Sequence, residues 1–421
     1  MITVLGMGTG APPPVVTDAT LVAGARRHLA AAALPEGAER VTLGPLAPAL
    51  DAIEAHLRAQ APGGAGGAPR RVVFLASGDP GFFGIVRALA ERFGSGALDV
   101  RPSVPAVAVA FARAGLPWDD AAVVSAHGRG LRTAVNVCRA NPKTAVLTGP
   151  GAGPAELGAA LAAAGARRTL LVTTALGAGA RERLTRMTPA EAAEAAWPPA
   201  ETGHVVLCLD ETRALAPAQR TLAGPRTAAG PGWALPETAF AHRDSMVTKS
   251  EVRALVLARL GPRWGELVWD VGTGSGSVAV ECARLGAAAV AVDRDPLAVE
   301  RCLANAAAHG VDVQAVTGAA PGALERLPDP DAAFVGGGGS DLTAVVAACA
   351  RRARRAVVVT LAAVDRVPRV RAALAEAGLA AEGVQLSAAR LTPLPGGVTR
   401  LAAANPVFVL WGTRPPEGAP Q

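Results

Sequence analysis

The sequence predicts a multidomain α/β protein, and three observations carry that prediction. At 421 residues the chain is long enough for two or three ordinary domains, each with its own core. Short β-rich runs alternate with Ala/Leu-rich segments of helical length, the pattern of strands joined by crossover helices. The alternation stops once, in ETRALAPAQRTLAGPRTAAGPGWALP from Glu211, where periodicity gives way to Pro, Gly and Thr, and then restarts. This places one domain at residues 1–210, a linker at 211–234 and a second domain at 235–421.

In the first domain ITVLG, RVTLG, RVVFLAS, AAVVSA, TAVLTG, TLLVTTA and HVVLCL read as strands, and APGGAGGAPR at 61–70 as a flexible internal loop. ITVLG runs straight into glycines Gly6, Gly8 and Gly10, but Pro12, Pro13 and Pro14 deny the helix start that a phosphate-binding loop needs. RVVFLAS enters GDPGFFG, where Gly78 and Gly81 permit close backbone approach and Asp79 holds the turn. His127 and Arg129 fall on the loop after AAVVSA. RMTPAEAA is a helix start, with Thr188 as cap, Pro189 at the first helical position and Glu191 closing the capping box.

In the second domain ELVWDVG, AAVAVDRD, DVQAVTG, AAFVGG and RAVVVTLA are strands separated by helices. The tail adds GVQLSAARL and VFVLWG with no helix between them, so a mostly parallel sheet closed by an antiparallel strand is expected. Ahead of the first strand, Thr248 and Glu251 have the spacing of a capping box, opening a helix with the apolar face Val252, Leu255, Val256 and Leu260. Lys249, Arg243 and Arg253 are then available to substrate carboxylates.

The loop DVGTGSG reads G-x-G-x-G, and Ser277 stands where a dinucleotide fingerprint needs its third glycine. That favours a ligand approached closely by backbone but lacking a pyrophosphate, with its carboxylate on the amides of a helix starting near Ser277. Asp293, about twenty residues on, suits ribose hydroxyls. Ribose plus a carboxylate without phosphate describes S-adenosylmethionine; a plain strand-turn-helix loop and a decayed NAD site are the alternatives. Gly318 and Ala319 follow the third strand, where an adenine ring has room. DAAFVGGGGS puts four glycines at a strand's carboxyl end, clearing space for a bulky substrate, and lacks the Asn-Pro-Pro-aromatic tetrapeptide of amide- and adenine-methylating enzymes.

A formal charge of +6 would suit nucleic acid or a small polyanion, but with 3% aromatic residues and no long basic tail, charge does not choose between them. Five scattered cysteines with no CxxC pair support neither a disulfide framework nor a metal site. No apolar run approaches the roughly twenty residues of a membrane span, and MITVLGMGTG lacks a basic signal region, so a cytoplasmic location is expected. Only Lys143 and Lys249 among 41 basic residues are lysine, which marks both as candidates for sites wanting a compact ammonium. RRARR at 351–355 reads as a solvated helix end.

From about Leu235 onward LPETAFAHRDSMVTKSEVRAL, DVGTGSGSVAVECA, AVDRDPLAVE, TGAAPGAL and AFVGGGGS resemble the cobalamin-pathway methylases acting on carbon 15 of precorrins, a class I Rossmann-like methyltransferase fold. The resemblance implies that Thr248, Gly272, Thr273, Gly274, Ser275, Gly276, Asp293, Gly318 and Ala319 hold S-adenosylmethionine. TGAAP departs from the family's Gly-Asp-Ala-Pro, which weakens the adenine side. VLGMGTG, SGDPGFFG, PSVPAVAVAFARAGLPW, SAHGR, VLTGP and ERLTRMT resemble the tetrapyrrole methylase fold, particularly its precorrin member acting on carbon 5. That fold has two α/β subdomains with S-adenosylmethionine in the cleft between them, which implies Gly8, Gly78, Asp79, Ser103 and Val104 as contacts; Pro105 replaces a small hydroxyl residue of many relatives.

In this order the halves resemble the fused precorrin-6Y C(5,15)-methyltransferase (decarboxylating) family. The resemblance implies two S-adenosylmethionine sites, a tetrapyrrole substrate methylated at carbons 5 and 15, and loss of carbon dioxide from the ring C acetate to give precorrin-8X; Lys249, as a rare compact ammonium beside the cofactor loop, is the catalytic candidate. A homo-oligomer working without nucleic acid or membrane is expected. A tRNA methyltransferase and a non-catalytic sensor of tetrapyrrole or S-adenosylmethionine are the alternatives from other classes.

Overall fold

The structure, a computed structural model, describes residues 1–59, 70–197, 204–215, 223–224, 232–243, 247–337 and 339–415. The glycine-rich stretch at 61–70 lies outside these except for Arg70, as does most of the 211–234 linker.

Three sheets follow one another along the chain. The first contains β1 (Ile2–Met7), β2 (Leu21–Gly24), β3 (Glu39–Thr42), β4 (Val72–Ser77) and β5 (Leu98–Arg101) in the order β3-β2-β4-β1-β5, every pairing parallel. Between its strands lie α1 (Arg26–Ala31), α2 (Leu46–Arg58) and α3 (Val86–Phe93). Val72, Phe74 and Ala76 of β4 pack with Ile53 and Leu89 on one face, while Val73 and Leu75 pack with Val16 and Val22 on the other. Burial on both faces is why this strand reads as an unbroken apolar run.

After α4 (Ala106–Ala114) come β6 (Ala122–Ser125), α5 (Leu131–Ala140), β7 (Lys143–Leu147), α6 (Pro154–Ala163), β8 (Thr169–Thr174), β9 (Arg183–Met187), α7 (Pro189–Glu194) and β10 (Val205–Leu209). The second sheet is ordered β6-β7-β10-β8-β9; β6 and β7 are parallel and the other pairings antiparallel. The start of α7 is as expected: Thr188 Oγ1 accepts from Glu191 N, and the Glu191 carboxylate accepts from Thr188 N at 2.7 Å.

The third unit runs α8 (Ser250–Leu260), β11 (Leu267–Val271), α9 (Ser277–Arg284), β12 (Ala288–Asp293), α10 (Pro296–Ala308), β13 (Gln314–Thr317), β14 (Ala332–Val335), α11 (Leu342–Arg352), β15 (Ala356–Leu361) and α12 (Val367–Glu376). It ends with β16 (Ala380–Leu386), β17 (Ala389–Pro393), β18 (Thr399–Ala403) and β19 (Val407–Thr413). Its sheet is ordered β13-β12-β11-β14-β15-β19-β16, parallel up to β15, with β19 antiparallel to both β15 and β16. Trp269, Val290 and Val357 face α11 and α12, while Val268, Phe334 and Val358 face α8 and α9.

The tail corrects the sequence reading. GVQLSAARL is two strands broken at Ser387–Ala388, and β17 pairs with β18 in a separate hairpin, so four strands stand where two were expected. The exposed β9 and β18 carry no alternating apolar pattern to announce them.

The second and third units are joined by specific contacts. Arg132 of α5 donates two hydrogen bonds to Asp331 at 2.8 and 2.7 Å, and Asp331 also accepts from Leu267 N at 2.7 Å, where β11 begins. Arg168 and Arg213 share Asp312, and Asn136 donates to Gly265 O at 3.0 Å. Among the described residues no helix is long and apolar enough to cross a membrane.

Candidate functional site

The third sheet reverses its strand order between β11 and β14, and the crevice at their carboxyl ends is where open α/β sheets bind ligands. The loop after β11 is built for close backbone approach. Gly272, Gly274 and Gly276 have φ of +74°, +56° and +76°, a region that side chains resist. A Cβ on Gly272 would come within 3.0 Å of Gly337 N, so part of the GGGG run serves to let two loops touch. Gly276 differs from its neighbours: a Cβ there would strike Cys302, so it seats α9 against α10 and does not line the cavity.

Two carboxylates hold the loop. Asp270 is buried and accepts from Thr273 Oγ1 at 2.7 Å and Ala279 N at 2.9 Å. Burial pushes its carboxyl up to about 6, the hydroxyl and amide oppose the rise, and the charge of Asp293 adds to it. Asp293, ending β12, accepts from Gly274 N and Asp295 N, both at 3.0 Å. Each of its oxygens keeps a second lone pair for a ligand. Gly318 N donates to Asp293 O at 2.8 Å, which brings the turn after β13 alongside.

These elements surround a cavity of about 700 Å³. Thr248, Lys249, Gly272, Thr273, Gly274, Ser275, Asp293, Gly318 and Ala319 line it, and Gly336, Gly337 and Gly339 close a further side; Gly338 lies outside the described residues. The volume is that of a small-molecule site. The residues fit an adenosyl amino acid: a carboxylate for ribose hydroxyls, free amides at the start of α9 for a carboxylate, and side-chain-free backbone where the ligand passes. Arg294 and Arg301 also line the cavity, and the sequence reading missed them. DRDP does signal the helix start, since Asp295 accepts from Leu297 N at 3.0 Å and Pro296 opens α10, but nothing in it marks the arginines as cavity residues.

The wall carrying Thr248 and Lys249 departs from expectation. Thr248 and Glu251 do not form a capping box; α8 has Lys249 at its N-cap position with no side-chain cap. Glu237 takes over by accepting from Ser250 N at 2.9 Å, while Glu251 turns to Arg390 of β17. Arg390 binds Glu237 and Glu251 together, and its hydrogen bond holds the Glu237 carboxyl down at about 2 against the opposing effect of burial. Arg253 does not greet substrate. It is fully buried, donates to Glu281 at 2.6 Å and to the carbonyls of Thr248 and Leu235, and lies 4.8 Å from the Phe240 ring centroid.

The two lysines part company. Lys249 lines the cavity, whereas Lys143 is buried, donating to Asp120 at 2.7 Å and Pro117 O at 3.0 Å. In RRARR, Arg352 and Arg355 are tied to Asp329 and Glu266, so the run is less solvated than expected. All five cysteines are buried and unpaired.

In the first unit Gly8, Gly78, Asp79, Ser103 and Val104 come together at the carboxyl edge of the sheet. Gly78 N donates to Met7 O at 2.8 Å, Ser103 N to Gly78 O at 3.3 Å, and Gly81 N to Asp79 Oδ1 at 2.8 Å. Cβ atoms on Gly6 and Gly8 would collide with Gly78 and Ser103, so the three strand ends meet only because those glycines lack side chains. Gly10 packs against Gly177, from the loop after β8, so loops of the first two sheets meet beside this edge. His127 stands behind Gly149. Ser77 and His28, absent from the sequence reading, adjoin the same edge.

A family model described as a precorrin methyltransferase domain matches residues 238–414, and one for tetrapyrrole (corrin/porphyrin) methylases matches residues 15–193. The precorrin-6Y C(5,15)-methyltransferase [decarboxylating] of a Sinorhizobium species is 37% identical over 343 residues, covering 80% of this chain and 76% of that protein. A probable cobalt-precorrin-6B C(15)-methyltransferase (decarboxylating) of Pyrobaculum calidifontis is 36% identical over 42% of this chain and 93% of its own. The cobalt-precorrin-7 C(5)-methyltransferase of Salmonella typhimurium is 34% identical over 41% of this chain and 83% of its own.

Proposed function

The chain belongs to the precorrin-6Y C(5,15)-methyltransferase (decarboxylating) family, and from that premise we propose how its parts divide the work. It is an S-adenosylmethionine-dependent C-methyltransferase of cobalamin biosynthesis that methylates precorrin-6Y at carbons 5 and 15 and decarboxylates the ring C acetate. Residues 235–421 carry the carbon-15 methylation and the decarboxylation, and residues 1–210 the carbon-5 methylation, each with its own S-adenosylmethionine site. The carrying observation is the cavity beneath β11, β12 and β14, where the G-x-G-x-G loop, Asp293 and the Gly318–Ala319 turn converge. The separate meeting of Gly8, Gly78, Asp79, Ser103 and Val104 supports the other site. Single-activity relatives that each align with about two-fifths of the chain support the division.

When bound, S-adenosylmethionine supplies a methyl already activated on a sulfonium. Asp293, fixed by the Gly274 and Asp295 amides, accepts from the ribose hydroxyls. The first amides of α9 receive the amino-acid carboxylate. The glycines after β14 leave room for a tetrapyrrole to lie against the methyl. A reduced tetrapyrrole's meso carbon is enamine-like and itself nucleophilic, so the residues act chiefly by proximity, in-line orientation and exclusion of water. Arg243 and Lys249, both on the cavity wall, take the substrate's carboxylates, with Lys249 beside the acetate that leaves. The conjugated ring is the electron sink for that loss.

The test is product analysis with isotopically labelled S-adenosylmethionine. Asp293→Ala abolishes the carbon-15 methyl and leaves the carbon-5 methyl, and Asp79→Ala gives the reverse. Survival of both methyls in Asp293→Ala shows that the ribose assignment is wrong.

A further inference from the structure

Ser77 ends β4 opposite Met7, between Gly6 and Gly8 of the neighbouring strand, and immediately precedes Gly78. Its hydroxyl oxygen lies 3.1 Å from His28 Nε2 and 3.0 Å from Arg27 Nη2. Arg27 Nε also points at His28 Nε2, at 3.3 Å. A guanidinium only donates, so Nε2 is the ring's acceptor, the ring proton sits on Nδ1, and the Ser77 hydroxyl donates to Nε2. Ser77 is exposed, whereas His28 is only 8% exposed, so an accessible hydroxyl is backed by a buried, neutral imidazole.

The surroundings disfavour the imidazolium form of that ring. Burial is the larger cause holding its pKa below the ordinary histidine value, and the charge of Arg27 is the second. Of the strands packed against α1, β2 and β4 carry no charged residue. β3 carries Glu39 and Arg40, and Glu39 is engaged with His56 at 3.1 Å.

Methylation of a meso C–H by a sulfonium must release a proton. The carbon's π pair forms the new C–CH3 bond, and the S–CH3 pair returns to sulfur. The carbon then carries both hydrogen and methyl on a cationic ring. Neutrality returns when the C–H bond breaks, its pair re-enters the conjugated system, and the proton goes to a base.

We propose that Ser77 and His28 form the proton relay of the carbon-5 methylation: Ser77 Oγ takes the proton from the methylated meso carbon while its own passes to His28 Nε2. This rests on the assignment of residues 1–210 to carbon 5. The imidazolium so formed faces the Arg27 guanidinium, which favours return of the proton to solvent through Ser77. His28 acts through Ser77, and Arg27 orients the hydroxyl.

The experiment uses the full chain with precorrin-6Y and labelled S-adenosylmethionine, reading the two methyls separately across pH 5–9. His28→Gln and Ser77→Ala each slow the carbon-5 methyl by about 10²–10⁴-fold, leave the carbon-15 methyl within about threefold, and abolish the acid limb of the carbon-5 pH profile. A readout without turnover accompanies it: ¹⁵N-histidine spectra of the enzyme alone show His28 as the Nδ1–H tautomer titrating below free histidine, and Ser77→Ala shifts its Nε2 signal. Because Ser77 is exposed, its alanine variant folds even where a His28 variant does not. Both methyls within about threefold of wild type in Ser77→Ala, or acid limbs that survive both changes in both profiles, overturn the relay. Loss confined to the carbon-15 methyl keeps the relay and overturns the assignment of carbon 5 to this half.

Discussion

Replacing Glu281 by glutamine tests how the wall of the cavity after β11 is held. Arg253 and Glu281 have side-chain exposures of 0% and 1% and meet at 2.6 Å. Glu281 also accepts from the amides of Ala234 and Leu235, and Arg253 donates to the carbonyls of Thr248 and Leu235. Glu281→Gln leaves the guanidinium buried without a counter-charge and points an NH2 at groups that themselves donate. Breaking one side of a buried pair costs about 3–5 kcal/mol. For a unit of this size that lowers Tm by about 6–20 °C. Scanning calorimetry reads the shift in the unit's transition, and titration with S-adenosylhomocysteine reads the cavity, whose Thr248 wall loses its anchor. A paired apolar replacement of both residues does not restore stability, because four backbone groups remain without partners, each worth about 1–3 kcal/mol. A Tm within 2 °C of wild type for Glu281→Gln would mean that the buried pair does not hold this wall.

Two further outcomes follow from the same site. Asp270 keeps its proton up to about pH 6 in the folded chain and loses it near the ordinary carboxylate value when unfolded, so its contribution is full at low pH and is lost as pH rises through 6. Asp270→Asn retains an oxygen for Thr273 and Ala279, and denaturant titrations from pH 4 to 8 should show it losing less stability than wild type over that window, by roughly 1–3 kcal/mol; an unchanged slope contradicts this. Lys249→Arg should lower turnover about tenfold, or about 1.4 kcal/mol, with S-adenosylmethionine affinity little changed, and steady-state kinetics showing an unchanged turnover would make Lys249 a wall residue only.

What the sequence made legible follows from how local each signal is. β11, β12, β14 and β15 are buried on both faces and read as continuous apolar runs, and the G-x-G-x-G spacing with Asp293 on the next strand pointed to the sheet edge where the cavity lies. Arg253 was misread because its partner lies 28 residues on, inside another helix. The Thr248–Glu251 pattern was present but lost to Glu237, which reaches Ser250 N from 13 residues upstream, and to Arg390, which draws Glu251 away from 139 residues downstream. Ser77 and His28 stand 49 residues apart and meet only because β2 and β4 are adjacent. Gly276 was legible as a glycine the loop requires, but its reason, contact with Cys302, lies in helix packing.

Whether one polypeptide holds two dissimilar sulfonium-nucleoside sites is decided by equilibrium calorimetry with S-adenosylhomocysteine on the intact chain. Two molecules are expected to bind per chain, falling to one in Asp293→Ala. A single site in the wild-type chain, or two sites that both survive Asp293→Ala, contradicts that expectation.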